Sequence, residues 1–202
     1  MQQFIEQIYR NSKNYKGIIF LDRDGTINRQ VDYVRNKMQI KLLPKVSQGI
    51  RLLNKNKIAV VVITNQPVVA RGWVTVNELK EINDTLISLL EKENAYIDAI
   101  YSCPHHPERH HPDILPRAMK YRIVCECRKP GLAMYRKALS EFGLKNILGI
   151  IGDQTKFDVQ AGKKLKTRTV IVRTGYKGKD GLYDVSPDFV CDNFLTAVQK
   201  LL

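Results

Sequence analysis

The sequence has no long hydrophobic run, and none of its apolar stretches approaches the length of a membrane-spanning helix. It also lacks a Ser/Gly-rich linker, an internal repeat and a low-complexity block, which argues against several flexibly joined modules. Residues 1–6 carry charge and lack the apolar core of a secretory signal. From these absences we expect a single domain over residues 1–202 that is cytoplasmic and has no membrane partner.

Acidic residues are scarce relative to basic ones, 20 against 33, which gives a net charge of +13. Such an excess favours anionic partners, whether nucleic acid, a membrane surface or phosphorylated metabolites, and does not choose among them. The lysines are scattered along the chain, and no aromatic stacking motif or basic stripe accompanies them. A basic nucleic-acid-binding module is therefore an alternative supported by charge alone.

Cysteine is also scarce, and three of the four cysteines lie close together at Cys103, Cys125 and Cys127. In a reduced chain such clustering indicates a metal before a disulfide, and three thiolates with one imidazole form a closed tetrahedral zinc site. The loop of about 103–127 contains several prolines, so we expect an irregular segment that zinc staples at its base. Cys191 stands apart in a short apolar strand and is predicted to be a core residue. The candidate histidine ligands are His105, His106, His110 and His111.

Apolar runs alternate with segments of helical spacing along most of the chain. The predicted strands are 17–21, 58–64, 97–101, 147–151, 169–172 and 189–191. The predicted helices are 44–57, 74–93, 132–142, 156–165 and a short one at the end. This alternation predicts an α/β fold, a doubly wound and mostly parallel sheet with helices on both faces.

Three of the predicted strands end in polar side chains. Asp22 and Asp24 follow the first strand and are succeeded at once by Gly25, while Thr64 and Asp153 end two later strands. Open α/β sheets bind their ligands at these strand ends, and a glycine lets the backbone turn sharply there. Paired carboxylates in such a place suit metal and phosphate chemistry.

Taken in order, these motifs resemble those of the haloacid dehalogenase superfamily of phosphatases. Asp22-Arg23-Asp24-Gly25-Thr26 resembles the first motif and Thr64 the second, while Lys129 matches the third and Gly152-Asp153 with Asp158 the fourth. The resemblance covers nearly the whole chain. It implies a Rossmann-like fold, and the spacing leaves no room for a separate cap domain between the motifs.

The resemblance implies a role for each of four side chains. Asp22 is the nucleophile that forms an aspartyl phosphate. Asp24 protonates the leaving oxygen and later takes a proton from the attacking water, so it is expected to be neutral while Asp22 is charged. Thr64 hydrogen-bonds a phosphoryl oxygen, and Lys129 holds both the phosphoryl group and Asp22 by charge.

A magnesium ion is the expected cofactor, because crowding anionic oxygens around a phosphate requires a hard cation. By resemblance it is bound by the side chains of Asp22 and Asp153 and by the backbone carbonyl of Asp24. Asp158 is expected to be either an outer-shell partner of the metal or a helix-start residue.

The cysteine segments narrow the resemblance to one branch of the superfamily. Cys-Pro-His-His-Pro from Cys103, followed by Cys-Glu-Cys-Arg-Lys-Pro from Cys125, is similar to the zinc-containing branch of D,D-heptose 1,7-bisphosphate and histidinol-phosphate phosphatases. It implies a structural zinc on Cys103, His105, Cys125 and Cys127. The implied substrate contacts are Gln30, Val31, Asp32, Tyr33, Asn65, Gln66, Pro67, Arg128 and Lys129.

The expected activity is therefore that of a magnesium-dependent phosphatase acting on a small phosphorylated sugar. The resemblance favours the 7-phosphate of D-glycero-D-manno-heptose 1,7-bisphosphate, a heptose-biosynthesis reaction, and a monomeric enzyme. Histidinol phosphate is the alternative substrate. A nucleic-acid 3′-phosphatase would use the same two aspartates and is a further alternative to the binding module.

Overall fold

The computed structural model describes residues 4–108, 115–181 and 183–202. Within these segments the chain forms one seven-stranded sheet with the order β1-β4-β3-β2-β5-β6-β7, in which only β1 runs antiparallel to its neighbour. The strands are β1 (Ile5–Ile8), β2 (Gly17–Leu21), β3 (Ile58–Asn65), β4 (Ala99–Cys103), β5 (Ile147–Gly152), β6 (Thr169–Val172) and β7 (Phe189–Cys191).

Five α-helices connect or flank the strands, together with a 3₁₀ helix at Pro116–Tyr121 and a π-helical turn at Thr155–Val159. Local signals set several of their ends. Thr75 and Glu78 form a capping box at the start of the second helix, and Gly143 ends the third in a left-handed conformation. The helices are α1 (Val46–Lys55), α2 (Val76–Glu91), α3 (Ala133–Phe142), α4 (Gln160–Leu165) and α5 (Phe194–Leu201).

The sheet is buried on both faces, which explains why its strands are continuous apolar runs. In β2, Ile19 and Leu21 pack in the core that holds α1, α2 and α5, whereas Ile18 and Phe20 pack in the core that holds α3 and part of α4. The predicted doubly wound α/β fold is confirmed. The described segments contain no separate cap domain, and none of their helices is both long and apolar enough to cross a membrane.

The sequence-based prediction missed β1 and misplaced β4. β1 is a short edge strand in which only Ile5 is buried, so its sequence carries little apolar periodicity, and it forms by pairing with β4. The third predicted strand, 97–101, actually runs from Ala99 to Cys103, because Asp98 uses its carboxylate to accept the backbone N–H of Val60 before the strand begins.

The predicted helix over 156–165 begins too early, because the α-helix starts only at Gln160. Asp158 accepts the backbone N–H of Gln154, and Asp180 accepts the N–H groups of Thr155 and Lys156, so the chain first makes the π-helical turn. The loop predicted to be irregular contains the 3₁₀ helix, which begins at Pro116. Residues 109–114, which include the candidate ligands His110 and His111, lie outside the described residues.

Candidate active site

Three neighbouring strands bring predicted catalytic and magnesium-binding residues to one edge of the sheet. β2 lies between β3 and β5 and is parallel to both, so Asp22, Thr64 and Asp153 meet at the carboxyl ends of these strands. All three side chains are almost completely buried. The convergence that the sequence predicted from its three polar strand ends is therefore present.

Lys129 joins this group through two buried ion pairs. Its Nζ lies 2.7 Å from Oδ1 of Asp22 and 2.6 Å from Oδ1 of Asp158. Burial would lower the pKa of Lys129, but the charges of Asp158 and Asp22 raise it, so the lysine stays charged. The side-chain amide of Asn65 holds the backbone of Lys129. Its Oδ1 accepts from the N–H of Lys129 at 2.9 Å, and its Nδ2 donates to the carbonyl oxygen of Lys129 at 3.2 Å.

Negative charge exceeds positive charge at the floor of the site. The carboxylate oxygens of Asp22, Asp153 and Asp158 lie within 4.8 Å of one another, and Lys129 supplies a single positive charge between two of them. Burial raises the pKa of Asp22 to about 7, and burial with the charges of Asp22 and Asp158 raises the pKa of Asp153 to about 9. These carboxylates need a cation to be ionised together.

The cluster fits a hard divalent cation. Oδ1 of Asp153 is buried and has no hydrogen-bond partner in the described part of the chain, whereas both oxygens of Asp158 already accept hydrogen bonds. Asp22 also contributes a carboxylate oxygen to this cluster, and Lys129 contacts its Oδ1. An all-oxygen set of this kind suits magnesium.

Two glycines allow the backbone to close around Asp153. Gly25 and Gly175 both have positive φ angles, +80° and +58°, and a Cβ on either would lie 2.3 or 2.0 Å from Oδ2 of Asp153. The N–H of Tyr176 donates to the same oxygen at 2.7 Å. The loop after β6 therefore orients Asp153, a function that the sequence analysis missed although the loop also follows a strand end.

Asp24 has contacts that favour its charged form. Arg23 makes a 2.8 Å ion pair with Oδ2, Asn28 donates to Oδ1 at 2.8 Å, and Gln66 donates to Oδ2 at 2.7 Å. Burial alone would raise the pKa of Asp24, but the charge of Arg23 and these hydrogen bonds outweigh it and lower the pKa. This differs from the expectation of a neutral Asp24, because the sequence did not reveal that Arg23 and Asn28 turn inward onto it.

A cavity of about 150 Å³ opens above these groups. It is lined by every residue predicted to contact substrate: Gln30, Val31, Asp32, Tyr33, Asn65, Gln66, Pro67, Arg128 and Lys129. Asn65 and Gln66 line it while their amide groups hold Lys129, Thr64 and Asp24. The sequence analysis missed Phe157 and Tyr176 as lining residues, since neither belongs to a motif.

The predicted zinc ligands form a compact cluster beside the cavity. Sγ of Cys127 lies 3.1 Å from Sγ of Cys125, 3.3 Å from Sγ of Cys103 and 3.3 Å from Nδ1 of His105. These separations exceed a disulfide bond length, and the four ligand atoms lie within 4.8 Å of one another, close enough to bind one metal ion. His106 lies outside the cluster, and its Nδ1 faces the N–H of Glu108 at 3.3 Å.

The cysteine cluster is connected directly to the catalytic side of the site. The N–H of Arg128 donates to Sγ of Cys125 at 3.4 Å, and its guanidinium donates to the carbonyl oxygen of His105 at 3.1 Å. Arg128 is followed at once by Lys129. A metal that fixes the cluster therefore fixes two cations of the cavity.

Positive charge influences His106, the neighbour of the cluster ligand His105. Burial, together with the charges of Arg128, Arg122 and Arg71, lowers the pKa of His106 to about 4, although the charge of Glu108 opposes the shift. The carboxylate of Glu108 lies 3.8 Å from Arg122 and 3.7 Å from His106.

Several known proteins are similar to this chain. The HAD-hydrolase-like family model matches residues 126–197. The chain is 32% identical over 190 residues to D-glycero-D-manno-heptose-1,7-bisphosphate 7-phosphatase of Chlorobaculum tepidum, covering 90% of this chain and 92% of that protein. It is also 32% identical to D-glycero-beta-D-manno-heptose-1,7-bisphosphate 7-phosphatase of Haemophilus influenzae, covering 88% and 92%.

A solved structure shows the same fold. The D,D-heptose 1,7-bisphosphate phosphatase from B. bronchiseptica, crystallised with magnesium and phosphate, is 28% identical and superposes with a TM-score of 0.74 over 92% of this chain and 97% of that one. The fold is that of a phosphatase. The chain belongs to the haloacid dehalogenase-like hydrolase family, and it is a phosphomonoester hydrolase.

Proposed function

We propose that this enzyme is a magnesium-dependent phosphatase that removes the 7-phosphate of D-glycero-D-manno-heptose 1,7-bisphosphate through an aspartyl phosphate. The observation that carries the proposal is the similarity over nine-tenths of the chain to phosphatases named for this substrate. The buried group of Asp22, Lys129 and Asp153 supports the chemistry. We further propose that the enzyme is monomeric, since one chain supplies the whole site, and cytoplasmic, where its thiols stay reduced.

In this proposal Asp22 attacks the phosphorus atom. Lys129 holds its Oδ1, and a carboxylate oxygen bonds to phosphorus while the P–O bond to the sugar breaks. Lys129 and the hydroxyl of Thr64 stabilise the charge on the phosphoryl oxygens. The proton that the departing sugar oxygen needs comes from Asp24.

Asp24 then acts in reverse in the second step. It takes a proton from a water molecule, whose oxygen attacks the aspartyl phosphate and releases phosphate with Asp22 regenerated. Its contacts favour the ionised form in the free enzyme, so Asp24 must gain its first proton when the substrate enters. Asp24 gains this proton because the phosphate dianion of the substrate, lying beside the carboxylate, raises the pKa of Asp24.

Two metals complete the proposal. Asp22 and Asp153 would hold magnesium by their side chains and Asp24 by its backbone carbonyl, with Asp158 as an outer-shell partner. Magnesium, when bound, neutralises the phosphoryl charge and the excess of carboxylates. A structural zinc would be bound by the four clustered ligands, Cys103, His105, Cys125 and Cys127.

A substrate panel tests the proposed activity. Phosphate release is measured from heptose 1,7-bisphosphate, histidinol phosphate and a 3′-phosphorylated oligonucleotide, each with magnesium and with EDTA. We expect turnover of the heptose compound that depends on magnesium and exceeds the others by at least about tenfold in kcat/KM. Preferential turnover of histidinol phosphate or of the oligonucleotide would contradict the substrate assignment.

Gly175→Ala is predicted to weaken magnesium binding. The new Cβ would meet Oδ2 of Asp153 at 2.0 Å, so the carboxylate must move. We expect the magnesium concentration for half-maximal activity to rise about 10- to 100-fold, as for other changes that disorient a metal ligand. Gly143→Ala is the matched control. Gly143 has a similar φ of +62°, but a Cβ there would have no neighbouring atom within 4 Å, so this variant has only the backbone cost of about 1 kcal/mol. Equal magnesium dependence in the two variants would contradict the role of Gly175.

A further inference from the structure

We propose that Asn83 is a positioning residue for the acid–base carboxylate of Asp24, on which it acts through Arg23, and that Gln7 of the edge strand β1 holds Asn83 in place. The inference rests on the proposed function, since it assumes that Asp24 gives its proton to the departing oxygen. Neither Asn83 nor Gln7 is among the described residues that line the cavity, so neither is expected to touch the substrate.

Arg23 is a buried side chain that faces Asp24 on one side and Asn83 on the other. Its Nε and Nη2 donate to the carboxylate of Asp24 at 3.2 and 2.8 Å, and its Nη1 donates to Oδ1 of Asn83 at 2.9 Å. The guanidinium is a rigid planar fork, so a partner at one end fixes the direction of the other end. Asn83 therefore helps to set the orientation of Asp24, which lines the cavity.

Asn83 is the polar exception on the buried face of α2. The other buried residues of this helix are apolar: Leu79, Ile82, Leu86, Ile87 and Leu90. A buried amide costs stability unless its hydrogen bonds are made. The Oδ1 of Asn83 accepts from Arg23, and its Nδ2 donates to Oε1 of Gln7 at 2.9 Å. Both ends of the amide are used, which keeps its oxygen turned toward Arg23.

Gln7 is held in turn at the outer end of this network. Its Nε2 donates to Oδ1 of Asp84 at 2.9 Å and to the hydroxyl of Tyr9 at 2.8 Å, and that hydroxyl donates to Asp84 at 2.7 Å. The oxygen of Gln7 is thereby left to face Asn83. A continuous series of hydrogen bonds thus runs from β1 through α2 to Asp24. A displacement of about 1 Å in a reacting group costs on the order of 100-fold in rate, so loss of one link should be measurable.

A comparison of leaving groups separates the positioning of Asp24 from a merely structural role. A sugar alkoxide needs a proton as it departs, whereas 4-nitrophenolate is stable without one. A variant that displaces Asp24 therefore loses activity on an alkyl phosphate and keeps it on 4-nitrophenyl phosphate, while a variant that only loosens the fold loses both. The alkyl phosphate is the one that the wild type hydrolyses best in the substrate panel, so the test does not depend on the identity of the sugar.

Asn83→Leu should lower kcat/KM for the alkyl phosphate about 10- to 100-fold, through kcat with KM unchanged, and that for 4-nitrophenyl phosphate less than about threefold. Gln7→Met, at the partly exposed outer end, should lower only the alkyl value, by about three- to tenfold. Asn54→Leu is the matched control, because Asn54 of α1 makes two 2.9 Å hydrogen bonds with the backbone of Tyr96 and does not line the cavity. It should lower Tm and leave the ratio of the two kcat/KM values unchanged.

Equal losses on both phosphates in Asn83→Leu and Gln7→Met, or a wild-type ratio in both, would overturn the proposal. Tm shows whether each variant is folded, and Gln7→Met decides alone if Asn83→Leu is not. Asp24→Asn distinguishes this failure from a failure of the proposed function. It should lose at least about 100-fold on the alkyl phosphate and less on 4-nitrophenyl phosphate. Equal losses in Asp24→Asn would contradict the acid role of Asp24 itself, and the inference would fail with it.

Discussion

Asp22→Asn is expected to abolish turnover, with a loss of kcat on the order of 10⁴-fold or more, because an amide cannot form the acyl phosphate. The variant should remain folded. Asp22 is one of three carboxylates crowded at the floor of the site, and Lys129 keeps its 2.6 Å contact with Asp158 when the charge of Asp22 is removed. Steady-state phosphate release and thermal unfolding in EDTA measure the two effects.

Asp192→Asn is the control for this experiment. Asp192 is exposed and pairs only with exposed Arg173 in the described part of the chain, so its substitution should leave kcat unchanged. Appreciable turnover by Asp22→Asn, with preparations free of wild-type enzyme, would mean that water attacks the phosphate directly or that another carboxylate is the nucleophile.

Cys125→Ser is expected to lower both stability and activity. Loss of a structural metal belongs to the few changes that cost more than about 4 kcal/mol, and such a cost corresponds to roughly 10 °C in the Tm of a domain of this size. Activity should fall as well, because the cluster positions Arg128 through Sγ of Cys125 and through the carbonyl of His105. Zinc analysis, calorimetry and kcat/KM are measured on the same preparation.

Cys191→Ser provides the matched substitution away from the cluster. Cys191 lies in β7 and is not one of the clustered ligands, so we expect unchanged zinc content and unchanged kcat/KM. If Cys125→Ser keeps the wild-type zinc content, Tm and turnover, the proposed zinc site and its link to catalysis are both wrong.

The sequence was sufficient for the parts of the molecule that depend on backbone topology. Continuous apolar runs predicted parallel buried strands, and the ends of parallel strands must share an edge, so Asp22, Thr64 and Asp153 could be brought together without coordinates. The clustering of cysteines similarly predicted a metal-binding group that the structure assembles. These inferences need only local pattern and chain direction.

Side-chain partners across the fold could not be predicted in this way. Asn65 was expected to contact substrate, and no sequence pattern indicated that its amide also holds the backbone of Lys129, 64 residues away along the chain. Arg23 was seen only as part of a motif, and its inward pairing with Asp24 depends on Asn83 of α2, which accepts from the guanidinium at 2.9 Å. Such contacts follow from packing between elements, and no local sequence signal records them.

The central claim is that Asp22 carries the phosphoryl group during turnover, and trapping the intermediate tests it most directly. The enzyme is mixed with heptose 1,7-bisphosphate and magnesium, quenched in acid within one turnover, digested and analysed by mass spectrometry. We expect one added phosphoryl group on the peptide that contains Asp22, absent with EDTA and absent in Asp22→Asn. Phosphate release in the same time course with no phosphorylated peptide, or with the group on a different residue, would contradict the account.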